Sequence, residues 1–234
     1  MIPLFKTHAS IGKSILKIED VARLSEDSSL DEVYLVEDSM IGFPTALKLL
    51  KEKLRFGLRF DVCNADDPDV QNNASKSKLI AFANGDLGCK DIYKLHTKMN
   101  QENILYSSLK EYENIVIAVP FYDSFLFNNS MNFSNCVPEL PDSTIFFLED
   151  NNLPFDNLIK KKVIAYCNKY SYQFFNAKSI YYENRSDFEA FQTYKCICNR
   201  NPGKQASLSS PNLDHFGSKE FCFESWRTSE WITY

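Results

Sequence analysis

The sequence predicts a single α/β domain centred on a parallel sheet or barrel of seven strands. Seven short apolar runs, four to seven residues each, recur with little polar alternation, as strands buried on both faces do. Helical patterns lie between them, and strand–helix alternation is the signature of parallel β-structure. The 234 residues suit one large domain, and no internal repeat, heptad pattern or interdomain linker interrupts them.

In chain order, the predicted strands are Ile2 to Thr7, Glu32 to Glu37, Gly57 to Cys63, Lys78 to Ala83, Ile115 to Pro120, Thr144 to Leu148 and Tyr172 to Asn176. Ile18, Val21, Ala22 and Leu24 recur at helical spacing before the second strand. Pro44 suits a first helical turn, with Ala46, Leu47, Leu49, Leu50 and Leu54 as the apolar face behind it. Asp91 to Lys98 continues Ile92, Tyr93 and Leu95 along one side of a third helix. Leu158, Ile159, Val163, Ile164, Cys167 and Tyr170 mark a fourth, and Phe188, Phe191, Tyr194 and Cys198 a last one. Asp66 to Ser77 is polar and reads as a surface loop; Phe121 to Ser143 reads as a loop with room for a short helix. Residues 199–234, with Pro202-Gly203 and Pro211, read as a carboxy-terminal extension of the single 1–234 domain, packed back through Trp226 and Trp231.

Composition narrows the function classes. Hydrophobic content of 44% and charged content of 24% are ordinary for a folded globular domain. A net charge of -5 makes direct grip on a nucleic-acid backbone a weak expectation, because that grip comes from Lys and Arg. Seven scattered Cys with no apolar leader suggest reduced thiols and a cytoplasmic location. Cys196-Ile197-Cys198 has one intervening residue, too few for the usual zinc knuckle. No apolar run approaches the ~18 residues of a membrane span, so no membrane role is expected.

The strand ends carry the chemistry. His8 follows the first strand, Asp38 the second, and Asp61 lies near the end of the third. Imidazole and carboxylate groups at successive strand ends are how an α/β barrel assembles metal ligands. Here they are few, and Lys6 stands among them. The simpler readings are a hydrogen-bonded strand-end residue for His8 and charge-paired acids for Asp38 and Asp61. His96 reads as a surface or half-buried helix residue, and His215 as a loop residue. Gly85-Asp86-Leu87-Gly88 reads as a turn, since it lacks the Gly-Lys-Ser/Thr ending of a phosphate loop. Gly12-Lys13-Ser14 has that ending, but Thr7 replaces the leading Gly. Glu149-Asp150 reads as a solvated pair, with a contribution to the same barrel face as the alternative.

The order of these motifs resembles the PHP (polymerase and histidinol phosphatase) domain, in the form found at the amino terminus of bacterial DNA polymerase III alpha subunits. Phe5-Lys6-Thr7-His8-Ala9-Ser10 is similar to the family's first His-x-His-Ser motif. Leu35-Val36-Glu37-Asp38-Ser39, with Gly42 and the following helix, is similar to its Thr-Asp-His motif. Gly57-Leu58-Arg59-Phe60-Asp61-Val62 falls where the family has Ile-Ile-Gly-x-Glu. Lys78 to Asn84, with Gly88 and Ile92-Tyr93-Lys94-Leu95, looks like the strand and helix of the polymerase form. Phe188 to Cys198 and Phe221 to Ser225 resemble the stretch after the last metal motif. The resemblance covers nearly the whole chain and implies a distorted seven-stranded (β/α) barrel.

The resemblance also implies where metal ions would sit, and the departures imply their loss. Lys6 stands for the first motif's leading His, Ser39 for the second motif's His, and Lys78 for a His common in the polymerase form. Lys178 and Ile180 stand for the Asp and His of the final motif, leaving His8, Asp38 and Asp61 as relict positions. A protonated Lys has no lone pair and repels a cation. The expected function is therefore a binding or scaffold module in DNA replication, with no cofactor, whose partners would be a polymerase or a proofreading exonuclease. Polymerase activity from this chain alone is not expected. The alternative is a metal-dependent phosphoesterase, of phosphatase or 3'-5' exonuclease type. There His8, Asp38 and Asp61, helped by Glu37 or Glu149, would hold Mn2+ or Zn2+. Lys6 and Arg59 also raise the possibility of a phosphate bound without cleavage.

Overall fold

A computed structural model describes residues 1–64, 76–132, 134–198 and 217–230. All seven predicted strands are present: β1 (Ile2–Phe5), β2 (Val33–Glu37), β3 (Leu54–Cys63), β4 (Ser77–Ala83), β6 (Ile115–Val119), β7 (Ile145–Leu148) and β8 (Gln173–Ile180). An unpredicted two-residue strand, β5 (Ile104–Leu105), extends the far end of β3. The sheet runs β2-β1-β8-β7-β6-β4-β3, and pairing of β2 with β3 closes it into a seven-stranded barrel.

The expectation of an all-parallel sheet fails at β4, which is antiparallel to both β3 and β6. A parallel neighbour needs a crossover, usually a helix. The polar sequence 64–76 offers no apolar face for one. The reversal puts the beginning of β4, with Lys78, at the barrel end where the parallel strands finish, and Lys78 lies directly opposite Asp61 on β3.

Helices α1 (Ile18–Asp27), α2 (Phe43–Leu50), α3 (Gly85–Met99), α5 (Asp156–Tyr170) and α6 (Phe188–Cys198) lie where helical spacing predicted them. The loop 121–143 holds a short helix, α4 (Phe125–Met131), and α7 (Phe223–Glu230) ends the described chain. The apolar face predicted for α2 is narrower than expected. Ala46 and Leu50 are buried, Leu47 and Leu49 are exposed, and Leu54 already belongs to β3. Gly85-Asp86-Leu87-Gly88 forms the first turn of α3 rather than a separate turn. A Cβ on Gly88 would lie 2.3 Å from the Asn114 carbonyl, so glycine lets the helix approach the turn before β6.

Strand alternation sorts the core into two parts. Outward residues such as Phe5, Leu35, Leu58, Leu79, Ile117 and Phe146 pack under the helices. Inward residues Leu4, Val36, Ile80, Phe82, Ala118, Phe147 and Ala177 fill the lumen. Phe82 and Phe147 meet edge to face at 6.3 Å. Segment 217–230 packs on the body: Trp226 is buried, its Nε1 donates to the Met1 carbonyl at 3.0 Å, and Phe223 stacks on Phe5. Trp231, His215, Pro202-Gly203 and Pro211 lie outside the described residues. No helix among the described residues is long and apolar enough to cross a membrane.

Candidate functional site

Above the apolar lumen, the same strands turn polar. On β1 the residue after Leu4 on the inner face is Lys6, and after Val36 on β2 it is Asp38. Arg59 comes from β3, Lys78 from the start of β4 and Glu149 from the end of β7. Lys6, Asp38, Arg59 and Lys78 line one cavity of about 80 Å³ at the mouth, joined by Asp123 from the loop after β6. Lys13, Tyr181, Phe191 and Lys195 complete its wall.

Ion pairs organise this mouth. Lys6 Nζ donates to Asp38 Oδ1 at 2.6 Å, with the Lys6 side chain 4% exposed and that of Asp38 34% exposed. Arg59 Nη2 donates to Asp123 Oδ2 at 2.8 Å, and Lys78 Nζ to Asp61 Oδ1 at 2.7 Å. Burial pushes the Lys6 ammonium below the ordinary lysine range, against the pull of Asp38 and with a further push from Arg59. Burial opposes ionisation of Asp38 too, but Lys6 and Arg59 outweigh it and hold its carboxyl below the usual range. Arg59 is raised: Asp123, Tyr181 and Asp38 more than offset its burial.

Two buried carboxylates support the mouth from behind. Glu37 accepts from the Thr7 N–H at 2.9 Å and from the Thr7 and Ser10 hydroxyls, while Ser10 Oγ accepts from the Asp38 N–H at 2.8 Å. Burial raises its pKa, and these hydrogen bonds oppose that rise. Glu149 is buried, a correction to its reading as a solvated residue; Asp150 beside it is exposed. It accepts from the Ser179 N–H and hydroxyl and from Asn151 Nδ2, at 2.9, 2.8 and 3.0 Å.

The sequence-derived residues are brought together only in part. Asp38 and Asp61 reach one rim, each beside a lysine. His8 does not line the cavity; it is exposed, and its backbone and Nδ1 both approach the Leu16 carbonyl. Ser39 is half-buried and also outside the cavity. Lys178 and Ile180, expected beyond the end of the last strand, lie within β8, which continues through both. Ile180 packs in the outer core, and Lys178 Nζ donates to the Asp150 carbonyl at 3.2 Å. Beyond Ala177, Ser179 and Tyr181 are the residues on the β8 side that line the upper lumen. His96 is half-buried on α3. Sequence reasoning missed Asp123, which sits four residues past the end of β6 at φ +61, and Lys195, one helical turn after Phe191. Reading past the end of every strand would have found the first; nothing local marks the second.

The donor set does not suit a divalent metal. Among the described residues no three His, Cys, Asp or Glu side chains come together in a way that could hold one. The acids at the rim are engaged by ammonium groups, and Glu149 by amide and hydroxyl donors. None of the seven cysteines is in a disulfide; Cys63, Cys167 and Cys222 are buried, and none lines the mouth. No family model matches this sequence, and no curated protein matches it.

Proposed function

We propose that this chain is a PHP-like barrel whose metal centre has been replaced by ion pairs, working as a binding or scaffold module in a replication assembly. The observation that carries the reading is the Lys6–Asp38 pair, 2.6 Å long and set at the carboxyl end of the lumen. An ammonium there takes up the carboxylate that a cation would need and adds its own repulsion. The closed seven-stranded barrel and the convergence of Lys6, Asp38 and Asp61 on one rim support the resemblance from which the replication setting comes. Under this reading the partner is a polymerase or a proofreading exonuclease.

The test has two arms. Mn2+- and Zn2+-treated protein, offered a phosphomonoester and single-stranded DNA, should release no more product than the Asp38→Asn variant. Sedimentation with the exonuclease and polymerase of the same source should show a complex. Turnover that disappears in Asp38→Asn or Asp61→Asn would instead support the alternative, a metal-dependent phosphoesterase. The presence of both acids on one rim favours that alternative. It would require both to leave their lysines when the metal arrives.

A further inference from the structure

One lysine of the barrel mouth is placed as a nucleophile rather than as a surface charge. Lys6 is 3% exposed, and among the described residues it is the only lysine that lines both cavities of the lumen. Lys178 is equally buried but lines neither, and Lys78 is only half-buried. A lysine held out of water beside a second cation is the usual setting of an amine that attacks carbonyl groups. Arg59 is that second cation. Burial first, opposed by Asp38 and aided by Arg59, draws the Lys6 amine towards its neutral form.

The surroundings define what the amine would meet. The deeper cavity, of about 20 Å³, has apolar walls of Leu4, Val36, Ile80 and Pro120 and room for one water-sized group, such as a methyl. Glu149 also lines it, and its carboxylate repels a second carboxylate from that end. The outer cavity, of about 80 Å³, admits several such groups. Arg59 borders both cavities and engages Asp123 through Nη2 at 2.8 Å, which keeps its other terminal nitrogen for a ligand. A planar guanidinium matches a carboxylate in shape as well as in charge.

We propose that Lys6 forms a reversible imine with a small 2-oxo acid, whose methyl-sized end enters the deeper cavity and whose carboxylate meets Arg59 in the outer one. The nitrogen lone pair attacks the keto carbon and a C–N bond forms. Two of the three ammonium protons leave with the keto oxygen as water, and the third stays on the imine nitrogen. The protonated imine keeps the positive charge, so Asp38, 2.6 Å from Nζ, retains its partner. The inference rests on the metal-free reading above, because a cation on Asp38 would take that partner from the amine.

Reductive trapping on the full chain tests this. The protein is incubated in EDTA with pyruvate and sodium cyanoborohydride, which reduces an imine to a stable secondary amine, and the adducts are mapped by peptide mass spectrometry. Lys6 should be labelled about tenfold or more faster than the exposed Lys94 and Lys110. Acetone, which lacks the carboxylate, should label Lys6 about tenfold less than pyruvate, the size of a charge-assisted hydrogen bond. Arg59→Gln should narrow that preference; the wild-type mapping and the comparison of the two probes stand whether or not this variant folds. Lys6 labelled no faster than Lys94 and Lys110 would overturn the inference. Equal labelling of Lys6 by both probes would overturn the ligand class. Because EDTA is present throughout, neither outcome touches the metal-free reading, which falls only if the protein itself holds Mn2+ or Zn2+.

Discussion

The two ends of the barrel lumen differ completely, although the same strands build both. At the floor, Leu4, Val36, Ile80, Phe82, Phe147 and Ala177 form an apolar plug. One pleat higher, Lys6, Asp38, Arg59, Lys78 and Glu149 replace them. The floor is held by area removed from water, which tolerates no gaps but needs no particular partners. The mouth is held by pairs, each member of which becomes a liability without the other. The contrast teaches that a substitution at the floor is judged by the space it leaves, and one at the mouth by the partner it strands.

The comparison can be broken at either end. The largest expected effect is at the floor: Phe147→Ala, at a residue 1% exposed and in edge contact with Phe82, should cost about 3–5 kcal/mol in urea unfolding. A cost near zero would mean the lumen is not packed as described. Lys6→Met should come next, at about 2–3 kcal/mol, because it leaves Asp38 unpaired; the partial exposure of Asp38, 34%, keeps the loss below that of a fully buried pair. Changing Asp38 to Asn as well should recover part of it, and strict additivity of the two changes would argue that the pair is uncoupled. Glu149→Gln should cost about 1–2 kcal/mol, since an amide cannot accept from Ser179 and Asn151 as a carboxylate does.

The smallest effect is one of pH. Asp38 titrates below its unfolded value of ~3.9, so its stabilisation is complete above that value and is lost as pH falls through its lower folded value. The stability gap between wild type and Asp38→Asn should stay level near neutrality and close in acid. A gap that stays level as pH falls through the acid range would contradict the ion-pair assignment.

Much of the fold was legible because buried strands and amphipathic helices announce themselves. Runs such as Ile115 to Val119 and the spacing of Ile159, Val163 and Cys167 left little choice. What escaped was set by pairing and not by local pattern. The reversal of β4 depends on which neighbour it meets, and the last residues of β8 look too polar for a strand. They form one because β1 pairs with Ala177 to Ile180 and the Asp150 carbonyl receives Lys178. The site was half legible for the same reason. Lys6, Asp38 and Asp61 could be named from strand ends, and so could Arg59. The carboxylate partner of Arg59 lies 64 residues away, in a loop with no motif to mark it.

The central claim is that Lys6 and its neighbours occupy the place of a metal centre. Elemental mass spectrometry of the purified protein, after loading with Mn2+ and Zn2+ and desalting, tests it most directly. The account predicts far less than one ion per chain, unchanged in Asp38→Asn. One or more tightly held ions per chain, lost in Asp38→Asn or Asp61→Asn, would contradict it.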